Sequence, residues 1–198
     1  NELVFYAKEA FDIEYQAPWG WAEMEGIHWR SDYDLSQHTK FSGQDLSYTN
    51  PVTQEKYLPW ITETSGGIDR SFFFLLLDAY REETTPSKET RIYLKINPKI
   101  AAYKMAILPL AANKPRLISK AESIYQSLNN KYSVDWDDSS SIGKKYRRQD
   151  EIGTPWCLVV DYQTLEDDTV SIRDRDTMEQ IRLKSDEIDT WLEKRLNS

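Results

Sequence analysis

Apolar positions along the chain follow two rhythms. From Asn1 to Tyr15 they fall at Leu3, Val4, Ala7, Ala10 and Phe11, a spacing close to 3.6, and the segment ends at the Pro18-Trp19-Gly20 break, so an amphipathic helix is predicted. Gly20 to Trp29 alternates as a strand does, Tyr33 to Lys40 suits a short helix capped by Asp32, and Tyr57 to Thr64 suits a strand with Pro59 near its start. That strand runs out at Ser65-Gly66-Gly67, after which Ile68 to Arg81 is apolar enough for a buried helix.

The second half alternates more evenly. Met105 to Leu110, Ser133 to Trp136 and Pro155 to Asp161 are short apolar runs of strand length, and Thr169 to Arg173 is expected to pair with the last of them across Leu165 to Asp168. Between them, Pro115 to Lys131 carries helical spacing through Leu117, Ala121, Ile124 and Leu128. Ile142 to Ile152 suits a basic-faced helix closed by Gly153, and Asp186 to Leu196 a terminal amphipathic helix. Strands separated by helices predict an α/β sandwich of roughly a hundred residues. Glu82 to Thr90 (EETTPSKET) is polar, contains Pro86 and lacks periodic apolar positions, which predicts an exposed linker between two domains.

Composition narrows the possibilities. The 198 residues are 39% hydrophobic and 13% aromatic, a globular composition, and no apolar run approaches the roughly 18 residues of a membrane-crossing helix. One cysteine, Cys157, forms no internal disulfide, and with two histidines a Cys/His zinc site is excluded; a reducing, cytoplasmic setting is expected. The chain has no signal-peptide pattern and no initiator Met, so it is expected to begin inside a longer protein. Its net charge of −8 is uneven: residues 1 to 91 hold 8 basic and 16 acidic side chains, residues 92 to 198 hold 17 of each. The neutral half groups its cations, with Lys144, Lys145, Arg147 and Arg148 in one cluster and Arg173 and Arg175 in another.

Chemistry concentrates first at Glu63-Thr64-Ser65-Gly66-Gly67-Ile68-Asp69-Arg70. Adjacent glycines let a backbone approach a ligand, Arg70 offers a fixed cationic fork to a phosphate, and Glu63 and Ser65, two apart on a strand, share a face. An amine beside a phosphate would suit that site. A plain glycine turn with Arg70 in a surface ion pair fits the same eight residues equally well.

The surroundings decide between them. YLPWITETSGGIDRSFFFLLLDAY resembles the third signature motif of class II aminoacyl-tRNA synthetases in its glycyl-tRNA synthetase version. DIEYQAPWGWAEMEGIHWRSDYDLSQH resembles the segment preceding that motif in bacterial homodimeric glycyl enzymes, and RRQDEIGTPWCLVVD with SIRDRDTMEQIRL is similar to the family's anticodon-binding domain. The resemblance runs in family order from about Leu3 to Leu183. It implies part of the class II antiparallel catalytic sheet in residues 1–85, a linker at 86–91, and in 92–198 an α/β anticodon-binding domain with a mixed five-stranded sheet. It also implies glycine–tRNA ligase activity: glycine and ATP, with Mg2+, give glycyl-adenylate, and the glycyl group passes to glycine tRNA. A homodimer is implied, with no membrane or DNA as partner.

By the same resemblance, Arg70 is the catalytic arginine that clamps ATP phosphates, Glu63 and Ser65 bind the glycine amino group, and Glu23 and Gly67 lie on the ATP side, with Glu23 near Mg2+. Thr64 and Trp60 depart from the family pattern. Counterparts of motifs 1 and 2 are missing, so the piece is expected to be inactive alone. Two rivals remain: a non-catalytic tRNA- or protein-binding module, and one chain of a split synthetase. For reading anticodon bases, the candidates are Arg147, Arg148, Arg173 and Arg175 as donors or stacking planes, with Asp150 and Glu151 accepting from cytosine amino groups. The alternating Arg173-Asp174-Arg175-Asp176 run reads equally as a self-satisfied structural network. Cys157, His28, His38 and Phe72 to Phe74 are expected in the core or in structural roles.

Overall fold

The computed structural model describes residues 5–85 and 88–197, which divide into two compact units meeting between Leu77 and Asp78. In the first unit, β1 (Glu9–Ala17) and β2 (Gly20–Ser31) form an antiparallel pair. Helix α1 (Tyr33–Ser42) follows, then a two-residue pair β3 (Tyr48–Thr49) and β4 (Lys56–Tyr57), and then β5 (Ile61–Gly66), antiparallel to β2. The three-stranded order is β1-β2-β5. Helix α2 (Ile68–Ala79) leaves from β5 through the glycine turn.

Three expectations fail here for physical reasons. Residues 9–15 are strand, because Phe11, Ile13 and Tyr15 also alternate with period two and a partner strand outweighs a weak helical face; residues 1–4 lie outside the described residues. The strand expected over Tyr57 to Thr64 is two pieces, interrupted at Leu58-Pro59-Trp60. Helix α2 is not buried: Ile68, Phe72 and Phe73 are exposed, and among the described residues Ala17 and Phe74 are the buried apolar side chains of this unit. Asp32 precedes α1 as expected but makes no side-chain cap.

The second unit opens with the hairpin β6 (Tyr80–Thr84) and β7 (Thr90–Leu94), in register from Tyr80↔Leu94 to Thr84↔Thr90. The segment expected to be a linker is therefore paired strand on both sides of a tip, its polarity reflecting a two-stranded ribbon with little to cover; residues 86 and 87 lie outside the described residues. Then come β8 (Met105–Pro109), α3 (Pro115–Asn129), β9 (Val134–Trp136), α4 (Ile142–Ile152), β10 (Trp156–Val160), α5 (Thr164–Asp167), β11 (Thr169–Asp174) and β12 (Gln180–Lys184). A 3-10 turn over Ser185–Glu187 leads into α6 (Ile188–Asn197).

The sheet is mixed and five-stranded, in the order β12-β11-β10-β8-β9, with β8 parallel to β9 and β10, and β11 antiparallel to its neighbours. β8 and β10 are buried on both faces, which explains their unbroken apolar runs. Met105, Ile107, Leu158 and Val160 face α3 and α6, which contribute Leu117, Ala121, Ile188 and Leu192. Ala106, Leu108, Cys157 and Val159 face the other way, against Ile142 and Tyr146 of α4. Cys157 is a core residue, its thiol pushed up by burial. No helix among the described residues is long and apolar enough to cross a membrane.

Candidate functional site

In the first unit, the geometry is set by two slips of register. Between β1 and β2 the pairing passes from Ile13↔Glu25 to Glu14↔Glu23, leaving Met24 without an opposite residue. Such a bulge re-aims the side chains beside it. The Glu23 carbonyl accepts a hydrogen bond from Arg70 Nη1 at 3.0 Å, and both residues line a cavity of about 480 Å3 with Trp19, Phe73 and Phe74. Trp19 stacks on Phe73 with ring centroids 5.8 Å apart.

The second slip, between β2 and β5, passes from Trp29↔Thr62 to Ser31↔Ile61 and leaves Arg30 at the irregularity. Its guanidinium donates to both oxygens of Asp34, at 2.6 and 2.8 Å, and to Oε2 of Glu63, and it lies 4.2 Å over the Tyr6 ring. Asp34 and Glu63 hold Arg30 charged, and Arg30 in turn lowers Asp34. Sequence reasoning passed over Arg30 because no spacing joins it to Glu63; only the antiparallel pairing His28↔Glu63 brings them together. Glu63 and Ser65 share a face of β5, as expected of alternate strand residues, while Arg70 is turned toward Glu23.

Gly66 and Gly67 do not take left-handed backbone, and a Cβ at either would meet nothing closer than 3.5 Å. Neither the turn nor the packing of this unit requires glycine there. No group of three or more His, Cys, Asp or Glu placed to hold a metal ion occurs among the described residues.

In the second unit, the charged residues of α4 and β11 separate into structural and open groups. Arg175 is 2% exposed and is spent on the fold, donating to the Gly153 carbonyl at 2.7 Å, the Ile96 carbonyl at 2.9 Å and the Asp176 carboxylate at 2.8 Å. Asp150 is equally committed: it accepts from Arg91 at 2.9 Å and from Arg173 at 3.0 and 3.2 Å. These two depart from the expectation of open base-reading groups, because α4 turns Asp150 inward and the loop after β11 folds Arg175 beneath the α4 C-terminus. Lys145, grouped in the sequence with the basic cluster, is fully buried and donates to the Pro109 carbonyl at 2.7 Å, with burial lowering its pKa.

The open groups are fewer. Arg147 is 73% exposed and pairs with Glu151 at 2.9 Å, one turn away on α4. Arg148 bonds Asp137 at 2.6 Å and the Ser139 carbonyl at 2.8 Å, yet stays 40% exposed. Arg173, expected as an open base reader, is not one of them: it is 7% exposed, committed to Asp150, and lies 4.7 Å over the Tyr146 ring, whose hydroxyl burial pushes up to about 12. Tyr146, Arg147, Asp150 and Arg173 line one groove of about 290 Å3, closed on its far side by the β6–β7 hairpin.

Comparison with known proteins shows what this arrangement is similar to. Residues 104–195 match the anticodon binding domain model. The glycine–tRNA ligase of Clostridium acetobutylicum is 48% identical over 196 residues, covering 99% of this chain and 42% of the relative. That of Clostridium tetani is also 48% identical with the same coverage, and that of Caldanaerobacter subterraneus subsp. tengcongensis is 49% identical, again over 99% and 42%. The chain thus spans about two fifths of the length of the curated relatives it matches. A three-stranded antiparallel sheet and a mixed five-stranded α/β unit thus make up a chain that is similar along its whole length to part of the glycine–tRNA ligases and that matches an anticodon-binding domain over residues 104–195.

Proposed function

We propose that the chain serves in the ATP-dependent attachment of glycine to glycine tRNA, its first unit contributing to glycine activation and its second reading the anticodon. The observation that carries this reading is the union, in one chain, of the Glu63–Arg70 glycine-turn segment with an anticodon-binding domain. In the reaction, a glycine carboxylate oxygen attacks the α-phosphorus of ATP and pyrophosphate leaves. A hydroxyl of the tRNA terminal ribose then attacks the glycyl carbonyl and releases AMP.

Glu63 and Ser65 take the glycine ammonium, Glu63 with the carboxylate oxygen that Arg30 leaves open. Arg70 clamps the phosphates, its approach fixed by the bond to the Glu23 carbonyl. Gly66 and Gly67, unneeded by the fold, keep the backbone bare on the nucleotide side. For Mg2+, Glu23 supplies one carboxylate, a donor that fits this ion as an adjunct to phosphate and water oxygens. The ion would neutralise phosphate charge. Arg147, Arg148 and Glu151 face the anticodon loop, and Asp150, Arg173 and Arg175 support them. The reading carries with it a cytoplasmic setting and a homodimer in the complete enzyme.

Two measurements test it. Titration with a glycine-tRNA anticodon stem-loop at fixed salt should show binding that weakens when the anticodon is replaced and falls as salt rises. Equal binding to both loops would leave a general RNA- or protein-binding module. Glycine-dependent ATP–pyrophosphate exchange should be absent from the chain alone, since no counterpart of the motif 2 arginine is found in it; exchange by the purified chain overturns that assignment of roles.

A further inference from the structure

The groove beside α4 has a wall that lies outside the matched anticodon-binding segment, residues 104–195. Thr85, Glu89, Thr90, Arg91 and Ile92 of the hairpin supply it. The hairpin is bolted in place by Arg91, which donates to Asp150 at 2.9 Å, to Glu83 at 2.7 Å and to the Arg175 carbonyl at 2.6 Å. The residues that flank its tip are bonded to each other: the Thr85 amide donates to the Glu89 carbonyl at 2.9 Å, and the Glu89 amide donates to the Thr85 hydroxyl at 3.2 Å. Glu89 stands just before β7, and both it and Arg91 line the groove.

Inside the groove, Arg91 and Arg173 are both spent on Asp150. That leaves Glu89, whose carboxylate has no partner among the described residues, and elsewhere on the lining Tyr146, Met178 and Arg147, the last paired with Glu151 at 2.9 Å. Gly143 opens the α4 side, where an added Cβ would meet nothing within 4 Å. A volume of about 290 Å3 sits at the lower end of the roughly 300–1,000 Å3 of small-molecule sites, enough for one planar base. A carboxylate that shares this lining with a guanidinium, an aromatic ring and a thioether matches a ring with an amino donor next to carbonyl and ring-nitrogen acceptors. Among pyrimidines that is cytosine, with N4 donating to the carboxylate. Uracil would turn a carbonyl oxygen toward Glu89. Glycine codons begin with paired guanosines, so the anticodons that match them carry cytosines.

We propose that the β6–β7 hairpin is part of the base-reading surface and that Glu89 selects a cytosine of the anticodon; this rests on the anticodon reading above. The test uses the 198-residue chain, its Glu89→Ala and Glu89→Gln variants, and fluorescent anticodon stem-loops carrying cytosine or uracil at each anticodon cytosine, all at one salt concentration. The wild-type chain should prefer cytosine at one position by about tenfold. Glu89→Ala should bring that ratio close to one while leaving the other positions unaffected, and Glu89→Gln, whose amide can donate to uracil, should improve binding of the uracil loop. Because removal of a negative charge strengthens binding to any RNA, the readout is the ratio and not the affinity. A ratio unchanged in Glu89→Ala overturns the role of the hairpin and leaves the anticodon reading standing. A wild-type chain that does not distinguish the loops overturns both.

Discussion

Arginines that look alike in a charged run do different work once their acceptors are counted. Arg175 donates to two main-chain carbonyls deep in the fold, and Asp176 adds a carboxylate at the surface end. Replacing Arg175 with Ala strands those carbonyls, so the second unit should lose about 2–4 kcal/mol, read as a lower urea midpoint, while the folded fraction keeps its anticodon preference. Arg147, with its guanidinium in solvent, offers the opposite case: truncation there should weaken tRNA binding and leave stability within about 0.5 kcal/mol. Nothing in SIRDRDT or KKYRRQ separates the two kinds of arginine, because the acceptors of Arg175 are backbone atoms of Gly153 and Ile96, which carry no sequence signature. Arg30 escaped notice on similar grounds, its partner lying across a strand pair.

At the level of elements, legibility follows burial. β8 and β10 stand out as apolar runs because both faces are covered, and α3 because Leu117, Ala121, Ile124 and Leu128 keep one stripe against the sheet. β12 was not anticipated; it is an edge strand whose Ile181 and Leu183 alternate with charged residues, a pattern too short to separate from a loop. The polar run from Glu82 to Thr90 predicts a linker for want of apolar residues, and so gives no sign of Glu89. Gly153, by contrast, was legible as the stop of α4, and the structure gives the reason: its φ is 82°, and a Cβ there would sit 2.8 Å from Ile96 Cδ1 and 3.2 Å from the Leu94 carbonyl. Gly153→Ala should therefore destabilise the second unit by about 1–3 kcal/mol, with the loss visible as a lower melting temperature by circular dichroism.

Across the whole molecule, the two units differ in what holds them. The second unit has apolar clusters on both faces of its sheet, and carboxylates paired at its surface: Arg182 lowers Asp161, Lys120 lowers Asp168 and Lys131 lowers Asp189. At Asp137 burial pushes the other way and is outweighed by the bonds from Arg148 and Ser139. A carboxyl whose folded pKa lies below its unfolded value stabilises fully above the unfolded value and ceases to do so as pH falls through the folded one. The melting temperature of the second unit should thus hold steady down to roughly pH 4 and drop below it, and Asp161→Asn should flatten the drop. The first unit, in which few described apolar side chains are buried, was legible in its strand–glycine–helix order but not in its exposure, since a sequence that resembles a core helix says nothing about what covers it.

Of the two edges of the five-stranded sheet, β9 forms one and β12 the other. Arg182 folds back along that edge, donating to both oxygens of Asp161 at 2.8 and 2.7 Å and to the Thr169 hydroxyl at 2.8 Å. A charged side chain on an edge strand disfavours the addition of a strand from a second molecule. The same guanidinium that ties β12 to its neighbours thereby leaves a cation on the strand where a foreign strand would add.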